Sequence, residues 1–457
     1  MIDMLTKLLT PVLEPMGVSE ADLVLYLNLV SNHLLAIAAA FVVMIIILIA
    51  AKKVRKGWRA FVRWQAVLGF LLALVLIVNL ICYGPLYDNV SGFLNASTVE
   101  LAEDTVAQSL ATIRRIGEEG FVLTKNDGLL PLKEDTKKLN VFGWASVSPF
   151  LGGTGSSASN AAAATDLLQS LKNAGFETNQ ALSEMYRAYC AERPVANMTR
   201  QDMTLPEPTA EYYTDELMDE ARSFSDTALV VIGRGGGEDY DLPMDMYTVI
   251  HGTYNVGRTV SVLPKNYTYF NTVYKNNGDY DDFDEGQSYL ELSNTEKAMI
   301  ERVCSEFEKV ILIINSSNTM ELSWVDDYEQ IGAVILAPAP GVAGFEALGE
   351  IISGAVNPSG RTADTFVRDL KATPTINNYG NFSFTNAEDV KIAIARADPT
   401  YEGSAAFLNY AEGIYVGYRF YETAADEGLI DYEKVVQYPF GYGLSYTTFK
   451  HEISGYK

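Results

Sequence analysis

A group of acidic residues behind a run of glycines is the part of this sequence best suited to chemistry. The segment GRGGGEDYDLP, residues 233–243, places Glu238 directly after three glycines and at the end of an apolar stretch. A carboxyl group on such a loop could act as a general acid if burial raised its pKa toward neutrality. Asp239 and Asp241 would raise that pKa further, because like charges disfavour ionisation. An acidic turn that is simply solvated is the alternative interpretation.

A second glycine-rich segment, GGTGSSA at 152–158, lies between a predicted strand and a predicted helix. Its glycines and final alanine fit the loose dinucleotide-binding pattern, with Glu177 about twenty residues further on. A P-loop is excluded, because no lysine follows before Lys172. We expect a tight turn that lets another backbone or a sugar approach closely. Nucleotide binding is the disfavoured alternative.

Metal binding is not expected at the other candidate ligands. The segment GDYDDFDEG, residues 278–286, lacks the spacing of an EF-hand loop, and we interpret it as a solvated acidic loop. The three histidines have no metal-ligand spacing. Cys190 and Cys304 are predicted to be free and buried rather than paired. The spacing of these residues therefore predicts no metal site.

These loops must be positioned by an alternation of short apolar strands and amphipathic helices that begins near Lys138. Strands are predicted at 139–145, 228–234, 309–315 and 332–339, and helices at 160–176, 294–308 and 343–354. Such continuous apolar strands indicate an α/β fold with a doubly wound, mostly parallel sheet that is covered on both faces. Ligands bind such sheets at the carboxyl ends of the strands. The predicted crevice is therefore formed by the loops 143–157, 233–243, 315–319 and 338–344.

Residues 1–87 are predicted to be a membrane anchor with two transmembrane helices, at about 34–51 and 65–87. Neither apolar run contains a charged residue, and each can cross a hydrocarbon core of roughly 30 Å. The connection carries six Lys/Arg and no acid, which places it in the cytoplasm and the main domain on the extracellular face. A cleaved signal peptide is disfavoured, because the first run starts late and a second span follows it. A helical hairpin in a soluble core is the remaining alternative.

The remainder is predicted to form three parts. These are a helical stalk at 88–117, a sandwich domain at 118–449 with an insertion at 244–288, and the start of a fibronectin-like β domain at 450–457. In the stalk, Leu101, Val106, Leu110 and Ile113 share one helical face that could pack onto the domain. Residues 88–457 carry 27 Lys/Arg against 54 Asp/Glu, a balance that disfavours nucleic acid and anionic lipid surfaces.

Six stretches distributed from one end of residues 118–449 to the other resemble the carboxyl-terminal α/β-sandwich domain of glycoside hydrolase family 3, whose commonest members are β-glucosidases. They occur in the family's order: EEGFVLTKNDGLLPLK (118–133), IGRGGGEDYD (232–241), LSNTEKAMIERVC (292–304), NPSGR (357–361), YAEGIYVGYRFYET (410–423) and YPFGYGLSYTTF (438–449). The last two stretches are the most specific of the six.

The resemblance implies a retaining glycosidase that hydrolyses terminal β-linked glucose or a related sugar with two carboxylates and no cofactor. It implies that Glu238, in a stretch resembling the family's G-E-G-x-D-R, is the acid/base. We expect Asp241, Gly237 and Arg234 to contact the substrate.

The chain departs from the family's pattern in two ways. Leu242 stands where the motif usually has Arg, and Asp239 stands where Gly is usual. The family's nucleophile is an Asp on a separate (β/α)8 barrel, whereas here a membrane hairpin precedes the sandwich. The order resembles circularly permuted members, so we expect the barrel to be supplied in cis or in trans. A non-catalytic, membrane-anchored carbohydrate-binding module is the alternative function.

Overall fold

The computed structural model describes most of the chain, in two compact units. The described residues are 2–13, 20–87, 90–91, 101–153, 157–159, 164–191, 203–204, 207–237, 242–252, 258–262, 265–269, 274–276, 280–376, 391–393, 402–404, 410, 412–448, 450 and 452–455. The first unit comprises Met1–Leu101, Thr259–Tyr267 and Ala393–Glu402, and the second comprises Ala102–Arg258, Thr268–Ile392 and Gly403–Lys457.

The first unit contains the helices α1 (Ile2–Leu13), α2 (Glu20–Leu29), α3 (Ser31–Ala50) and α4 (Arg59–Cys82). Helices α3 and α4 pack on each other, with Phe41 and Phe70 edge to face at 5.6 Å between ring centroids. With their flanking turns, Ser31–Lys53 and Lys56–Cys82 are long and apolar enough to cross a membrane. Only 6% of each apolar stretch is buried, whereas the core helix of a soluble protein is mostly buried. The second helix begins before residue 65 and ends earlier than predicted, where Gly84 and Pro85 follow.

The second unit is built on a six-stranded mixed sheet. The described strands of the chain are β1 (Val122–Asn126), β2 (Lys138–Phe142), β3 (Glu177–Thr178), β4 (Thr227–Arg234), β5 (Arg258–Val262), β6 (Lys265–Tyr269), β7 (Lys309–Ser316), β8 (Ile331–Leu336), β9 (Phe366–Val367), β10 (Lys391–Ala393), β11 (Glu402–Ser404) and β12 (Val436–Tyr438). The order in the main sheet is β1-β8-β7-β4-β2-β3. Strand β1 is antiparallel to β8, and the other neighbours are parallel. The mostly parallel sheet is therefore confirmed.

The second unit also contains nine described α-helices. They are α5 (Glu103–Gly120), α6 (Leu167–Asn173), α7 (Gln180–Cys190), α8 (Asp215–Phe224), α9 (Met246–Ile250), α10 (Asn294–Glu306), α11 (Glu346–Ser353), α12 (Tyr418–Asp426) and α13 (Tyr432–Val435). Strand β4 is buried along its whole length, as its continuous apolar run predicts for a strand covered on both faces. Cys304 on α10 is buried and Cys190 on α7 is half-buried, and neither forms a disulfide.

The strand order reverses between β2 and β4, and this reversal defines the place for a ligand. From β2 the chain passes to the edge strand β3, and then returns across the sheet to β4, β7 and β8. In doubly wound sheets such a reversal opens a crevice beyond the carboxyl ends of the strands on either side. The loops after β2 and β4 are those that carry the two glycine-rich segments.

Local chemistry sets two element ends differently from the sequence prediction. The helix predicted at 160–176 begins only at Leu167, because the Asp166 side chain caps it by accepting the Gln169 N–H at 2.7 Å. The strand predicted at 139–145 ends at Phe142, because Gly143 follows with a φ of 94°. Strand β1 was not predicted from the sequence. It is an antiparallel edge strand, outside the alternation of strands and helices.

The acidic loop at 278–286 was predicted to be solvated, and the structure corrects this for Asp282, whereas Asp284 and Glu285 are exposed as predicted. Asp282 is buried and accepts hydrogen bonds from the N–H and Oγ1 of Thr295, at 3.1 and 2.5 Å. The Tyr274 hydroxyl also donates to it, and the neighbouring Phe283 lies in the core. Because Thr295 is in the first turn of α10, Asp282 satisfies one of the N–H groups that a helix start leaves without a partner.

The predicted stalk packs differently from the expectation as well. Helix α5 is anchored at its carboxyl end, where a Cβ on Gly117 would lie 3.2 Å from the Ala347 Cβ on α11. Leu101, Val106 and Leu110, which the sequence placed on a packing face, are exposed. Of the 450–457 segment, the described residues form no strand, and its assignment to a further β domain stays a prediction.

Replacing Gly143 with alanine should destabilise the protein far more than replacing Gly175. Both glycines have similar positive φ angles, 94° and 91°, so both variants incur left-handed strain of roughly 1–2 kcal/mol. A Cβ at Gly143 would also overlap the carbonyl oxygen of Val231 on β4, whereas nothing lies within 4 Å at Gly175. We expect Gly143→Ala to lose about 3 kcal/mol or more in denaturant unfolding. Equal losses in the two variants would contradict this account.

Candidate functional site

The four loops predicted to form the crevice meet at the carboxyl edge of the sheet, as far as they are described. Asn315 near the end of β7 joins three of them. Its Oδ1 accepts the Phe150 N–H at 2.7 Å, and its Nδ2 donates to the carbonyls of Phe150 and Ala337, both at 3.0 Å. The Leu151 carbonyl accepts the Gly341 N–H at 2.7 Å. One amide side chain thus connects the loop after β2 to the loop after β8.

The glycines at 235–237, which we call the glycine loop, lie where neighbouring groups leave little room for side chains. A Cβ on Gly236 would lie 2.6 Å from Nδ2 of Asn318. A Cβ on Gly153 would lie 3.0 Å from the Gly236 carbonyl oxygen and 3.1 Å from Cα of Gly237. The second glycine-rich segment therefore lets another backbone approach closely, as its sequence predicts.

Two of the predicted site residues, Glu238 and Asp241, lie outside the described residues, and their roles stay predictions. The chain leads into Glu238 from Gly237, whose φ of 149° favours glycine. It is described again from Leu242, which is buried. The predicted contact of Gly237 with the substrate also stays a prediction.

Arg234, the fourth predicted site residue, is buried at the end of β4. Its Nε donates to the Tyr289 carbonyl at 2.7 Å, and its two Nη atoms donate to the carbonyls of Gly233 and Glu291 at 2.8 and 2.7 Å. The same two Nη atoms bind the Glu296 carboxylate at 2.7 and 2.6 Å. All five N–H donors of the guanidinium are therefore used within the protein. Sugar binding by Arg234 would require one of these bonds to break.

A buried acidic cluster beneath the end of β2 was missed from the sequence. Glu207 accepts the Trp144 N–H at 3.1 Å and the Tyr213 hydroxyl at 2.7 Å, and Tyr213 shares a hydrogen bond of 2.8 Å with Tyr186. Burial raises the pKa of Glu207 to about 8, because the hydrogen bonds it accepts only partly offset desolvation. Trp144 lies two residues after the end of β2, so its hydrogen bond to Glu207 holds the backbone where the loop after β2 begins.

Tyr289 and Glu296 were also missed as residues that organise the site. Tyr289 lies one residue beyond the predicted insertion and carries no sequence signal. Glu296 had a signal of a different kind, since Ser293 and Glu296 have the spacing of a capping box, which the structure contains at the start of α10. That pattern predicts a helix start and gives no sign of a buried arginine.

The fold and site define a class, an α/β sandwich domain whose crevice at the reversal of strand order is lined by glycine-rich loops. Residues 121–418 match the model of the glycosyl hydrolase family 3 C-terminal domain. The chain therefore belongs to glycoside hydrolase family 3, as its sequence motifs predict.

Two curated relatives illustrate the match. Beta-glucosidase A of Butyrivibrio fibrisolvens is 29% identical over 337 residues, which cover 72% of this chain and 34% of that protein. A beta-glucosidase of Ruminococcus albus is 27% identical over 351 residues, which cover 75% of this chain and 28% of that protein. The chain thus spans about a third of the length of these relatives.

Solved structures agree with this relationship. The beta-glucosidase from Paenibacillus barengoltzii superposes with a TM-score of 0.55 at 27% identity, covering 77% of this chain and 31% of that one. Beta-glucosidase 3B from Thermotoga neapolitana superposes with a TM-score of 0.51 over 76% of this chain and 39% of that one. At 24% identity, the second likeness concerns the fold alone.

Glu207 should make the protein less stable as the pH rises from about 5 to about 8. In this window the folded state, with the pKa near 8, keeps a proton that the unfolded state, with the pKa near 4.5, has lost. The free energy of unfolding then falls with pH, by at most roughly 1.4 kcal/mol per unit. Glu207→Gln should remove this contribution and flatten the profile of unfolding free energy against pH.

The measurement is denaturant unfolding of both proteins at pH 5, 6.5 and 8. Glu177→Gln serves as the control, because Glu177 is an exposed carboxyl at the start of the edge strand β3. If Glu207→Gln and the parent protein lose stability with the same slope, Glu207 does not carry the extra proton.

Proposed function

We propose that this chain supplies the acid/base half of a retaining β-glycosidase that removes terminal glucose or a related sugar. The observation that carries the proposal is the glycine loop, which leads into Glu238 at the carboxyl end of β4 beside the reversal of strand order. Membership of family 3 and relatives named as beta-glucosidases support the reaction and the substrate class.

In this mechanism Glu238 gives its proton to the glycosidic oxygen while a second carboxylate attacks the anomeric carbon. Glu238 then takes a proton from the water that releases the sugar. The buried carboxylates described near this edge, those of Glu207, Asp282 and Glu296, are each engaged by internal donors. A nucleophile supplied by a (β/α)8 barrel, in cis or in trans, is therefore part of the proposal.

An exposed apolar region supports a docked partner of this kind. Its side chains are exposed although they are large and apolar, and we call them the aromatic face: Tyr410, Ile414, Tyr415, Val416, Tyr418 and Phe440. Tyr418 and Phe440 stack with their ring centroids 4.6 Å apart. Exposed apolar clusters of this kind mark interaction surfaces. The relatives are about three times longer than the matched region, which is consistent with further chain covering this face.

We further propose that α3 and α4 anchor the chain in a membrane with the main domain on the extracellular face. Their lengths, their exposed apolar surfaces and the basic turn between them support this arrangement. An extracellular position would give the site direct access to sugars outside the cell.

Glu238→Gln should reduce hydrolysis of an alkyl β-glucoside by roughly 10²–10⁴-fold, because a general acid contributes about that much. The assay uses the full chain mixed with a separately produced family 3 barrel. A dinitrophenyl β-glucoside should lose far less in the first step, because its leaving group departs without a proton. Glu177→Gln is the matched control and should keep the parent rates.

Three outcomes of this assay count against the proposal. Equal losses of kcat/KM with both leaving groups would exclude an acid role for Glu238, because kcat/KM reports the step in which the leaving group departs. Activity of the full chain without the barrel would show that the nucleophile lies within this chain. Sugar binding without hydrolysis in every mixture would favour the carbohydrate-binding module.

The membrane proposal predicts that the full chain, expressed in bacteria, stays in the membrane pellet after alkaline extraction. Protease added to intact spheroplasts should then degrade the domain at 102–457, because that domain faces outward. Neutral replacements of Lys52, Lys53, Arg55 and Lys56 should lower the accessible fraction, since these charges fix the orientation. A chain recovered in the soluble fraction would refute the anchor.

A further inference from the structure

Tyr289 holds both ends of the segment that carries Glu238. Its hydroxyl accepts the N–H of Gly235 at 3.0 Å, at the beginning of the glycine loop. Its own N–H donates to the carbonyl of Pro243 at 3.0 Å, where the chain is described again beyond residue 241. Tyr289, which is 46 or more positions away in sequence, therefore forms a hydrogen bond with the residue on each side of 236–242.

Tyr289 is itself held in place by buried groups. Its side chain is fully buried, and its carbonyl accepts the Arg234 Nε–H at 2.7 Å. Arg234 lies immediately before the glycine loop and forms the two-bonded ion pair with Glu296, which belongs to the capping box of α10. The anchor of the loop is thus connected through hydrogen bonds to the strand β4 and to the start of a helix.

The glycine loop needs such an anchor. Three successive glycines have no side chains to pack and have more backbone freedom than other residues. Proton transfer, by contrast, requires the acid within hydrogen-bond reach of the leaving oxygen. A displacement of about 1 Å can cost roughly 10²-fold in rate.

We infer that Tyr289 is a positioning residue for Glu238, and that its hydroxyl fixes the start of the glycine loop so that the acid meets the glycosidic oxygen. This inference rests on the proposed function. It concerns one side-chain group, because Tyr289→Phe keeps the ring, the N–H to Pro243 and the carbonyl to Arg234, and removes the hydroxyl, which accepts from Gly235.

The test compares the full-length parent protein, Tyr289→Phe and Tyr446→Phe. Tyr446 is the matched control, because its hydroxyl also makes a protected hydrogen bond, to the Ile351 carbonyl on α11 at 2.6 Å. Amide hydrogen exchange over residues 235–243 is measured first, on the full chain alone. We expect this segment to exchange at least tenfold faster in Tyr289→Phe and at the parent rate in Tyr446→Phe.

The second measurement is hydrolysis with the barrel added. For an alkyl β-glucoside, Tyr289→Phe should lower kcat/KM about 10- to 100-fold, since the misplaced acid protonates the leaving oxygen poorly. For a dinitrophenyl β-glucoside, kcat/KM should stay near the parent value, because its leaving group departs without a proton, whereas kcat falls where the base step of Glu238 limits turnover. A purely structural role would instead lower kcat/KM equally for both substrates.

The outcomes separate the inference from the proposed function. Parent-like exchange and a parent-like kcat/KM for the alkyl β-glucoside in Tyr289→Phe, with an active parent protein, overturn the positioning role and leave the function intact. Faster exchange with an equal loss of kcat/KM for both substrates also overturns it. No hydrolysis by any mixture of the parent chain and barrel overturns the proposed function, and with it a catalytic purpose for the Tyr289 anchor.

Discussion

The buried ion pair between Arg234 and Glu296 is the interaction on which the candidate site depends. Both side chains are 1% exposed, and taking such charges out of water costs several kcal/mol per ion. That cost is offset only when the pair is well oriented and every remaining donor is satisfied. Here the guanidinium meets the carboxylate with two bonds and three carbonyls with the others. Glu296 also accepts the Ser293 N–H at 2.9 Å, so one pair fixes the end of β4 and the start of α10.

The glycine loop that follows has the opposite character. Its residues contribute no side chains, so its conformation must be imposed by neighbours rather than by its own packing. Those neighbours come from separate parts of the chain: Asn318 after β7, Gly153 after β2 and Tyr289 before α10. Asn315 in turn binds the loop after β2. Arg234 is fixed by its hydrogen bonds, and the glycine loop after it is held by residues from other loops. The backbone of the glycine loop can therefore come close to a ligand without side chains in the way.

The sequence was a good guide to features that depend on local composition and a poor guide to buried polar partners. Strands such as β4 and β7 were predictable because they are continuous apolar runs, and the crevice followed from where those strands end. Asp282 was predicted to be solvated because it lies among other acids in the sequence. In the structure it is buried and accepts hydrogen bonds from Thr295 and Tyr274. The Glu207 cluster could not be predicted, because Trp144 lies 63 residues away from it in sequence. In both cases the polar partner is brought near only by the fold.

The buried carboxylates also bear on how a proton donor could work here. At neutral pH Glu207 keeps its proton, since burial raises its pKa to about 8. As an uncharged group it contributes little to the electrostatic potential at the candidate site. The charges of Arg234 and Glu296 largely cancel at a distance. In the proposed mechanism, Asp239 and Asp241 would favour the protonated form of Glu238, because like charges disfavour ionisation. A nucleophilic carboxylate brought opposite would act in the same direction. Once that carboxylate was bonded to the sugar its charge would be gone, so the pKa of Glu238 would fall and the same group could accept the proton of the attacking water.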